Sequence, residues 1–513
     1  MMDDGPERSR EIVCFLHELS LHQRTMAKKL SLSSLFVLSI NRAVVFVVGL
    51  ERCSDFTGGG FCPTSNTCCR LPSGASGCIP ADLGAYNATC CNDGTGCGVG
   101  YDCGPQNTCV AKPEYTDPLV QTLPRYPLCR APPHLQEIYG FIGGNNNNKS
   151  SSSSLSDDNL IIRPAYYSSM GSLESLAHNK SNAIRHVIFV IHGSGRNADD
   201  YYCTMYSAVM KQQHHHHHHD DDNQVLVIAP RFASMSDEAF ALHNNAGMPM
   251  RWDEGAWRYG AEAVNNPNVS SFQVLDDMVS FVSQALVKKN LQRITVIGHS
   301  AGGQFVQRWA LLTQVWTTTR QQHQHQPAMM RAIVVNPSSY CYLTPLRTST
   351  SRQEWVLPDM TACPAYNDWE WGLATTTAPR YVQCALQELS VTALTRRFAQ
   401  RDVVYLAGDR DVCNVPGMNK QGWCYSHGLE TTCMDMWQGR NRLERHMHYF
   451  ESLERIVNVT THRRALVPGV GHDHSLIFHS PATARYLFDN NDNTNNHVQN
   501  NTKHNDLTAT EQG

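Results

Sequence analysis

The sequence has no excess of positive charge. Its lysines and arginines number 42 against 46 aspartates and glutamates, which gives a formal net charge of -4 at pH 7. Proteins that bind nucleic acids or anionic membrane surfaces usually carry clustered positive charge. We therefore expect neither nucleic acid nor an anionic membrane surface among the partners of this protein.

The N-terminal region lacks one uninterrupted apolar stretch long enough to cross a membrane. Two shorter apolar runs, 30–40 and 43–50, are separated by Asn41 and Arg42. An arginine at the centre of a membrane span costs about 2.5–3.5 kcal/mol on insertion scales. Two lysines precede the first run, as they do in a secretory signal. We predict that residues 1–50 form an N-terminal extension and a signal peptide that directs secretion; an uncleaved signal anchor on the membrane is the alternative.

Histidines and C-x-x-C pairs, which are typical of zinc sites, are absent from the segment that is richest in cysteine. This segment, residues 53–109, holds ten of the 19 cysteines: Cys53, Cys62, Cys68, Cys69, Cys78, Cys90, Cys91, Cys97, Cys103 and Cys109. A segment this dense in cysteine cannot build an apolar core and must be held by disulfides or by metal. Disulfides are favoured, no metal site is predicted, and the mature chain is expected in an oxidising compartment.

Two pairs of adjacent cysteines make the pattern of this segment more specific. They occur in Thr67-Cys-Cys-Arg70 and Thr89-Cys-Cys-Asn-Asp-Gly94. The segment resembles a granulin module, a short ladder of β-hairpins held by disulfides. Ile79 and Gly98 stand where that family has the second cysteine of a pair, so the resemblance implies one missing rung and five bridges. The module either spaces the chain from its surroundings or binds an extracellular ligand.

Composition divides the rest of the chain. Residues 110–135 are rich in proline and are predicted to form an extended linker. Residues 136–489 carry the regular apolar pattern of a larger domain, and residues 490–513 are predicted to be a disordered tail. The six histidines at 214–219 lie between periodic segments, and we interpret them as a solvated loop expansion rather than a metal site.

Nearly continuous apolar runs recur through the larger domain. They cover 186–191, 225–229, 294–297, 332–335, 403–406 and 465–467, and segments of helical periodicity such as 271–288 lie between them. Strands of this kind that alternate with helices indicate a parallel sheet covered on both faces. Two earlier strands, 137–142 and 160–166, are predicted to form the first hairpin. The domain is therefore predicted to be α/β.

One of these strands leads directly into the motif Gly298-His-Ser-Ala-Gly302, which is followed by a helical pattern over 301–312. G-x-S-x-G between a strand and a helix is the pattern of a nucleophile elbow, in which the serine hydroxyl stands above the sheet. Side chains at Gly298 and Gly302 are expected to collide with the neighbouring helix and strand. Ser300 is therefore a candidate nucleophile.

A serine hydroxyl needs a base before it attacks a carbonyl at neutral pH. In an open parallel sheet such groups lie just beyond the carboxyl ends of strands. Asp411 follows the strand 403–406 and His472 follows the strand 465–467. The order serine, acid, histidine is the one expected in this topology.

Three neighbouring residues are competing candidates. His474 is the nearest rival base and Asp409 the nearest rival acid. Asp409 is interpreted as a turn-forming residue that bonds its own loop backbone. His299 is interpreted as packing beneath the turn that carries the nucleophile.

With these motifs, most of the segment 180–480 resembles an α/β-hydrolase. It is most similar to a group of secreted hydrolases with the blocks H-G-S-G-R-N-A, G-H-S-A-G-G-Q and P-G-V-G-H-D. The resemblance implies a mostly parallel sheet with helices on both faces and a cap insertion. Aromatic residues in Tyr366-Asn-Asp-Trp-Glu-Trp371 either line a substrate pocket in that cap or form its core.

The same resemblance assigns roles to residues. Ser300 is implied as the nucleophile, His472 as the general base and then acid, and Asp411 as the group that orients the imidazolium. The backbone amides of Ser194 and Ala301 are implied as the oxyanion hole, the pair of donors that holds the developing negative charge.

The predicted function is that of a secreted serine hydrolase. We expect a carboxylesterase or lipase-like enzyme that forms an acyl-enzyme, acts on a small-molecule or polymer ester, and needs no metal or cofactor. A serine peptidase of the same fold is an alternative, because the same triad cleaves amides. A second alternative is a non-catalytic extracellular protein in which the cysteine-rich module binds a ligand.

Overall fold

The computed structural model describes residues 132–142, 161–178, 184–215, 224–286, 291–316, 328–349, 354–375, 377–412 and 429–488, together with short segments between residues 50 and 129. The predicted signal before residue 50 and the predicted tail, 490–513, lie outside the described residues.

An eight-stranded sheet forms the centre of the larger domain. Its strands, in chain order, are β1 (Tyr139–Gly140), β2 (Ala165–Ser168), β3 (Ile184–Ile191), β4 (Gln224–Arg231), β5 (Arg293–His299), β6 (Met329–Val335), β7 (Asp402–Gly408) and β8 (Arg463–Val467). They lie side by side in the order β1-β2-β4-β3-β5-β6-β7-β8. β2 runs antiparallel to both of its neighbours, β1 and β4; all other neighbours are parallel. This is the arrangement of the α/β-hydrolase fold, and the predicted fold class is confirmed.

Both faces of this sheet are buried, which is why its strands read as continuous apolar runs. In β3, Val187, Phe189 and Ile191 belong to the apolar core on one face. Ile188 and Val190 belong to the core on the other face. The predicted first hairpin is also present, because β1 pairs with the start of β2.

Helices cover the two faces. The described ones are α1 (Leu173–His178), α2 (Ala198–His215), α3 (Ser271–Leu286), α4 (Ala301–Leu312), α5 (Arg380–Glu388), α6 (Val391–Ala399), α7 (Cys433–Met436), α8 (Arg442–Glu451), α9 (His474–Phe478) and α10 (Pro481–Phe488). α4 packs against β5 and β6, and all of its residues are buried. The first two histidines of the 214–219 run belong to α2, so the chain leaves the helix later than the loop prediction implied.

Short elements shape the loops at the ends of the strands. They are the two-stranded pairs Ile162–Arg163 with Met248–Pro249, Ala233–Ser234 with Arg251–Trp252, Glu262–Ala263 with Asn266–Ser270 and Arg347–Thr348 with Trp355–Val356. Two 3-10 turns, His243–Asn245 and Ala256–Tyr259, and one π-helical segment, Ser452–Ile456, complete the described elements.

The cysteine-rich segment is built from short antiparallel strands. They are Leu50–Arg52, Phe61–Pro63, Thr67–Arg70, Ser76–Ile79, Thr89–Cys90, Thr95–Cys97, Tyr101–Cys103 and Thr108–Ala111. The bridges Cys69–Cys90, Cys91–Cys103 and Cys97–Cys109 hold them together, and Cys68 and Cys78 are disulfide-bonded as well. The number of five bridges stays a prediction.

The predicted extended linker is wrong over its second half. Thr122–Pro124 pairs with Thr108–Ala111, and Tyr126–Pro127 pairs with Thr95–Cys97, so this stretch belongs to the sheets of the module. Cys78 and Cys129 exchange backbone hydrogen bonds of 2.8 Å in both directions. A proline-rich sequence can add a strand at a sheet edge, where an amide donor is not needed at every position.

The same stretch joins the module to the larger domain. Cys129 forms a disulfide with Cys203 of α2, and the hydroxyl of Tyr202 donates a 2.6 Å hydrogen bond to the carbonyl of Pro133. Leu135 is buried in the core beside α2. The two parts are therefore connected through α2 and not by a flexible tether alone.

The cysteines of the larger domain are not all in disulfides. Cys363 is bonded to Cys433 and Cys384 is also in a disulfide, but Cys341 is a buried free thiol. Cys413 and Cys424 lie outside the described residues. Among the described residues, no helix is both long and apolar enough to span a lipid bilayer.

Candidate active site

The nucleophile elbow lies where β5 ends and α4 begins. Ser300 has φ 59° and ψ -121°, a backbone conformation that non-glycine residues rarely adopt outside functional sites. Its amide donates a 2.9 Å hydrogen bond to the carbonyl of Val335 at the end of β6. The strained turn is thus held by the neighbouring strand, and it carries the serine hydroxyl at the carboxyl edge of the sheet.

The two glycines of the motif permit this turn because the backbone approaches closely on both sides. A Cβ at Gly298 would lie 2.2 Å from the carbonyl oxygen of Gly302. A Cβ at Gly302 would lie 2.2 Å from the carbonyl oxygen of Ile191 at the end of β3. Both contacts are with backbone, which cannot rotate away, so the predicted collisions are present.

Three side chains from three loops meet at this edge. Nε2 of His472 lies 2.9 Å from Oγ of Ser300, and its Nδ1 lies 2.7 Å from Oδ2 of Asp411. Asp411 follows β7 and His472 follows β8, as the sequence order indicated. The structure therefore brings together the serine, histidine and acid that the sequence singled out.

The acid of this row is fully buried, with 0% of Asp411 exposed. Nη1 of Arg442, at the start of α8, lies 3.8 Å from its outer oxygen, Oδ1. The amide of Leu443 donates a 3.1 Å bond to the Asp411 carbonyl. The buried carboxylate therefore lies beside a buried guanidinium.

The loops that carry the acid and the histidine are bonded to one another. Asn336, at the end of β6, accepts a 3.0 Å bond from the amide of Gly408 and donates a 3.2 Å bond to the carbonyl of Gly471. The carboxylate of Asp409 accepts a 2.7 Å bond from the amide of Gly469. Asp409 thus bonds the neighbouring histidine loop and not its own loop, which corrects its predicted role as a purely local turn former.

The competing histidine lies in a separate network. Nε2 of His474 is 3.2 Å from Oδ2 of Asp200 on α2, and its ring stacks on Tyr201 with a centroid distance of 4.2 Å. The Tyr201 hydroxyl is 3.0 Å from Nδ1 of His299. His299 in turn lies against His472, with ring centroids 4.5 Å apart.

The loop after β3 forms the other side of the site. A Cβ at Gly193 would lie 3.7 Å from Cβ of Ser300, so this loop passes directly beside the serine. The amide of Arg196 donates a 3.1 Å bond to the Gly193 carbonyl and closes a turn around Ser194. On the opposite side, Ala301 begins α4, whose first amides have no acceptor within the helix. The oxyanion role of these two amides stays a prediction.

His192 holds this loop in place. Its Nδ1 donates a 2.9 Å bond to the Gly193 carbonyl, and its Nε2 accepts a 3.0 Å bond from the amide of Phe232. Burial lowers the pKa of His192 to about 3, so the ring is neutral at physiological pH. Its place is structural, beside the ring of Trp257 at 4.6 Å.

The aromatic residues of the cap region form core as well as surface. Tyr366 and Trp369 are buried, each with 4% exposed, and Trp369 donates a 2.8 Å bond to the carbonyl of Tyr259. Trp371 is half-buried and donates a 2.9 Å bond to Asp435 on α7. The core interpretation therefore applies to Tyr366 and Trp369.

Among the described residues, the one set of side chains spaced for a metal is Cys91, Cys97 and Cys103, whose sulfur atoms lie within 4.8 Å of one another. All three are in disulfides. A thiolate is needed to bind metal, so the set does not offer a metal site.

Sequence reasoning missed Arg442, Asn336 and Tyr201. Each lies far along the chain from the residue that it contacts in the site, and none belongs to a recognisable motif. Only the order of strands in the sheet brings them to the serine, acid and histidine loops.

Comparison with the sequences of known proteins finds a short similarity. No protein-family model matches. The chain is 40% identical to progranulin from Rattus norvegicus over 75 residues, which are 13% of this chain and 11% of progranulin. Human progranulin gives 40% over 73 residues, with the same shares. The chain thus spans about a tenth of the length of these relatives.

Two solved structures are similar to this chain over about two thirds of its length. Poly(aspartic acid) hydrolase-1 from Sphingomonas sp. KT-1 is 19% identical, with 65% of this chain and 97% of that chain covered and a TM-score of 0.39. LpqC, a poly(3-hydroxybutyrate) depolymerase from Bordetella parapertussis, is 18% identical, with 64% and 86% covered and a TM-score of 0.39. From its own strand order and from its cysteine-rich segment, the chain combines a domain of the α/β-hydrolase fold with a granulin-like, disulfide-rich module.

Proposed function

We propose that this protein is a secreted serine hydrolase that cleaves carboxylic esters through an acyl-enzyme. The observation that carries the proposal is the continuous hydrogen-bonded row from Ser300 through His472 to Asp411. Each member follows a different strand, so this alignment is a property of the folded site and not of one local motif.

The geometry fits the chemistry of acyl transfer. Nε2 of His472 accepts the proton of the Ser300 hydroxyl while Oγ attacks the carbonyl carbon, and Asp411 stabilises the imidazolium. The tetrahedral oxyanion accepts hydrogen bonds from the amides of Ser194 and Ala301. His472 then gives its proton to the leaving alcohol, and the acyl-serine is hydrolysed by a water that the same histidine deprotonates. These steps call for no metal or cofactor.

The chemistry of the cysteines supports the proposed extracellular location. Disulfides in both parts of the chain are stable in an oxidising compartment, which agrees with the predicted N-terminal signal. The proposed substrate is a small-molecule or polymer ester, and the granulin-like module is proposed to bind an extracellular ligand.

Active-site labelling tests the proposal. The purified full-length protein is treated with a fluorescent fluorophosphonate, and we expect covalent label on wild type and none on Ser300→Ala. Ser390→Ala, which removes an exposed helix N-cap hydroxyl, is the matched control and should label normally. If the folded wild-type protein takes no label, the proposal of an enzyme is contradicted and the non-catalytic alternative is favoured.

Substrate preference needs a second measurement. Hydrolysis rates for a panel of acyl esters are compared with rates for short peptides of matched acyl groups. We expect the esters to be cleaved and the peptides to resist. Faster cleavage of the peptides would make the protein a serine peptidase of the same fold.

A further inference from the structure

The loop after β3 carries a charged pair that the proposed chemistry has not used. Nε of Arg196 lies 2.9 Å and 3.0 Å from the two carboxylate oxygens of Asp237, and its Nη2 lies 2.8 Å from Oδ1. The two side chains are only 16% and 14% exposed. An arginine that faces a carboxylate in this forked way has a fixed orientation as well as a favourable charge.

The same arginine reaches the backbone of the turn that carries Ser194. Its Nη1 donates a 3.0 Å bond to the Ser194 carbonyl, and its own amide donates a 3.1 Å bond to the Gly193 carbonyl. Gly193 C=O and Ser194 N–H belong to one planar trans peptide and point in opposite directions. The backbone amide of Arg196 holds the Gly193 carbonyl and so sets the direction of the Ser194 amide. The Arg196 side chain holds the Ser194 carbonyl, which belongs to the next peptide, so it fixes the backbone on the other side of Ser194.

Backbone conformation gives a second reason to regard Arg196 as constrained. Its φ is 55°, in the left-handed region that glycine adopts without strain and other residues avoid. Glycine would therefore be the simplest residue for this turn. Arginine at this position is explained if its side chain has a task that glycine cannot perform.

The partner of Arg196 is itself immobilised. Asp237 accepts a 2.8 Å bond from the amide of Ser234, and its carbonyl accepts a 2.7 Å bond from Nη1 of Arg251. Arg251 is buried and also bonds the carbonyls of Ser234 and Glu238. Burial alone raises the pKa of Asp237, but the bonds from Arg196 and Ser234 hold it below its ordinary value, so the carboxylate stays charged.

We infer that Arg196 and Asp237 are positioning residues for the oxyanion hole. Their ion pair holds the loop after β3 against the loop after β4, which Arg251 stabilises. In this position the Ser194 amide faces the acyl oxygen above Ser300. The inference rests on the proposed function, because it assigns no separate activity. Neither residue needs to touch the substrate. Their side chains act through the Ser194 carbonyl, which fixes the peptide that follows Ser194 and so constrains the neighbouring peptide that carries its amide.

Kinetics of four variants test this inference: Arg196→Gly, Arg196→Gln, Arg196→Lys and Asp237→Asn. Arg196→Gly is the sharpest, because glycine accepts the positive φ and leaves only the side chain missing. A misplaced catalytic group costs on the order of 10²-fold in rate, so we expect kcat on a soluble ester to fall by roughly that factor, with KM changed by less than about threefold. Arg196→Lys should lose less, since it keeps the charge without the fork.

Binding of a transition-state analogue separates positioning from a merely structural role. A trifluoromethyl ketone forms a tetrahedral adduct with a serine, and its affinity should fall by the same factor as kcat/KM. The double variant Arg196→Gln with Asp237→Asn should be no worse than the single ones, because both break one interaction. Arg455→Gln removes an exposed pair with Glu451 and is the matched control.

The outcomes distinguish the two levels of proposal. Wild type without label or hydrolysis contradicts the proposed function itself. Active wild type with a folded Arg196→Gly variant of unchanged kcat and unchanged analogue affinity overturns only the positioning role. If Arg196→Gln does not fold, the glycine and lysine variants decide by the same two measurements.

Discussion

At the scale of single residues, the proposed mechanism depends on which of two nearby carboxylates faces His472. Asp411 contacts Nδ1 of His472 at 2.7 Å, whereas Asp409 bonds the backbone of Gly469 at 2.7 Å. The two residues are separated by one position, yet one faces the base and the other joins two loops. Sequence spacing favoured Asp411, and the contacts give each residue a different physical task.

This difference predicts different losses of activity. Asp411→Asn should lower kcat by roughly three to four orders of magnitude, because the amide cannot stabilise the imidazolium or hold its tautomer. Asp409→Asn should cost far less, since an amide oxygen can still accept the bond from Gly469. Turnover of a soluble ester by both folded variants is the measurement. A larger loss of kcat in Asp409→Asn than in Asp411→Asn would mean that Asp409, and not Asp411, is the acid.

At the scale of elements, the elbow depends on the close approach of β5, α4 and the end of β3. The approach is possible only because Gly298 and Gly302 carry no side chain. The strain at Ser300 is therefore maintained by packing of whole elements. The same packing keeps the amide of Ala301 beside the serine.

Gly302→Ala should disturb this packing. The new methyl group would lie 2.2 Å from the Ile191 carbonyl oxygen, so α4 and β3 must separate, at a cost of roughly 3 kcal/mol in the free energy of unfolding. Fluorophosphonate labelling should slow by about 10²-fold as the serine is displaced.

Gly171→Ala is the matched control for this change. Gly171 has φ 78° but open space around it, with the Tyr139 hydroxyl 3.7 Å from the added carbon. Its alanine variant should lose about 1–2 kcal/mol from backbone strain and keep its labelling rate. Equal labelling rates for the two variants would refute the packing explanation.

At the scale of the whole molecule, buried histidines make the hydrolase domain sensitive to acid. Burial lowers the pKa of His186, His192 and His446 from 6.5 to about 3, and that of His462 and His479 to about 4. The unfolded chain therefore binds protons near pH 6.5 that the folded chain cannot bind until pH 3–4. Stability that is present above pH 6.5 is lost as the pH falls through this window.

We expect each of these histidines to contribute a loss of about 1.4 kcal/mol per pH unit below pH 6. Burial raises the pKa of Asp276 to about 6 and also raises the pKa values of Asp277 and Glu370, which acts in the opposite direction. Urea unfolding, followed by tryptophan fluorescence at pH 7.5, 6.0 and 5.0, measures the slope. His186→Gln should have a shallower slope than wild type; an identical slope would contradict the assignment for that histidine.

The disulfide between the two parts of the chain supports a second prediction at this scale. Cys129 and Cys203 are 74 residues apart, and in the chain-entropy account a loop of that length contributes about 4 kcal/mol. The double variant Cys129→Ser with Cys203→Ser should lose up to that much stability. It should keep activity on a small soluble ester, because neither cysteine contacts Ser300.

The bridge Cys363–Cys433 closes a similar loop, of 70 residues, within the hydrolase domain. The double variant Cys363→Ser with Cys433→Ser, which removes this bridge, serves as the control. A module that only spaces the domain leaves both variants active. Loss of activity in the first variant alone would mean that the module supports the active site through α2.

The sequence by itself determined the fold class and the three residues that meet in the site. Continuous apolar strands require burial on both faces, and G-x-S-x-G between a strand and a helix permits one backbone arrangement. Parallel strands end at a common edge, so residues just after β5, β7 and β8 meet there wherever the connecting loops run. Local pattern and topology are enough for such inferences.

Contacts between residues that are distant in the sequence became visible only in the tertiary structure. The proximity of Arg442 to Asp411, the bonds of Asn336 to two loops, and the pair of Arg196 with Asp237 join residues whose spacing in sequence carries no signal. The pairing of residues 122–127 with the granulin-like module was likewise hidden, because a proline-rich composition suits both an extended linker and an edge strand. Such contacts form only when the whole sheet and its loops have closed around them.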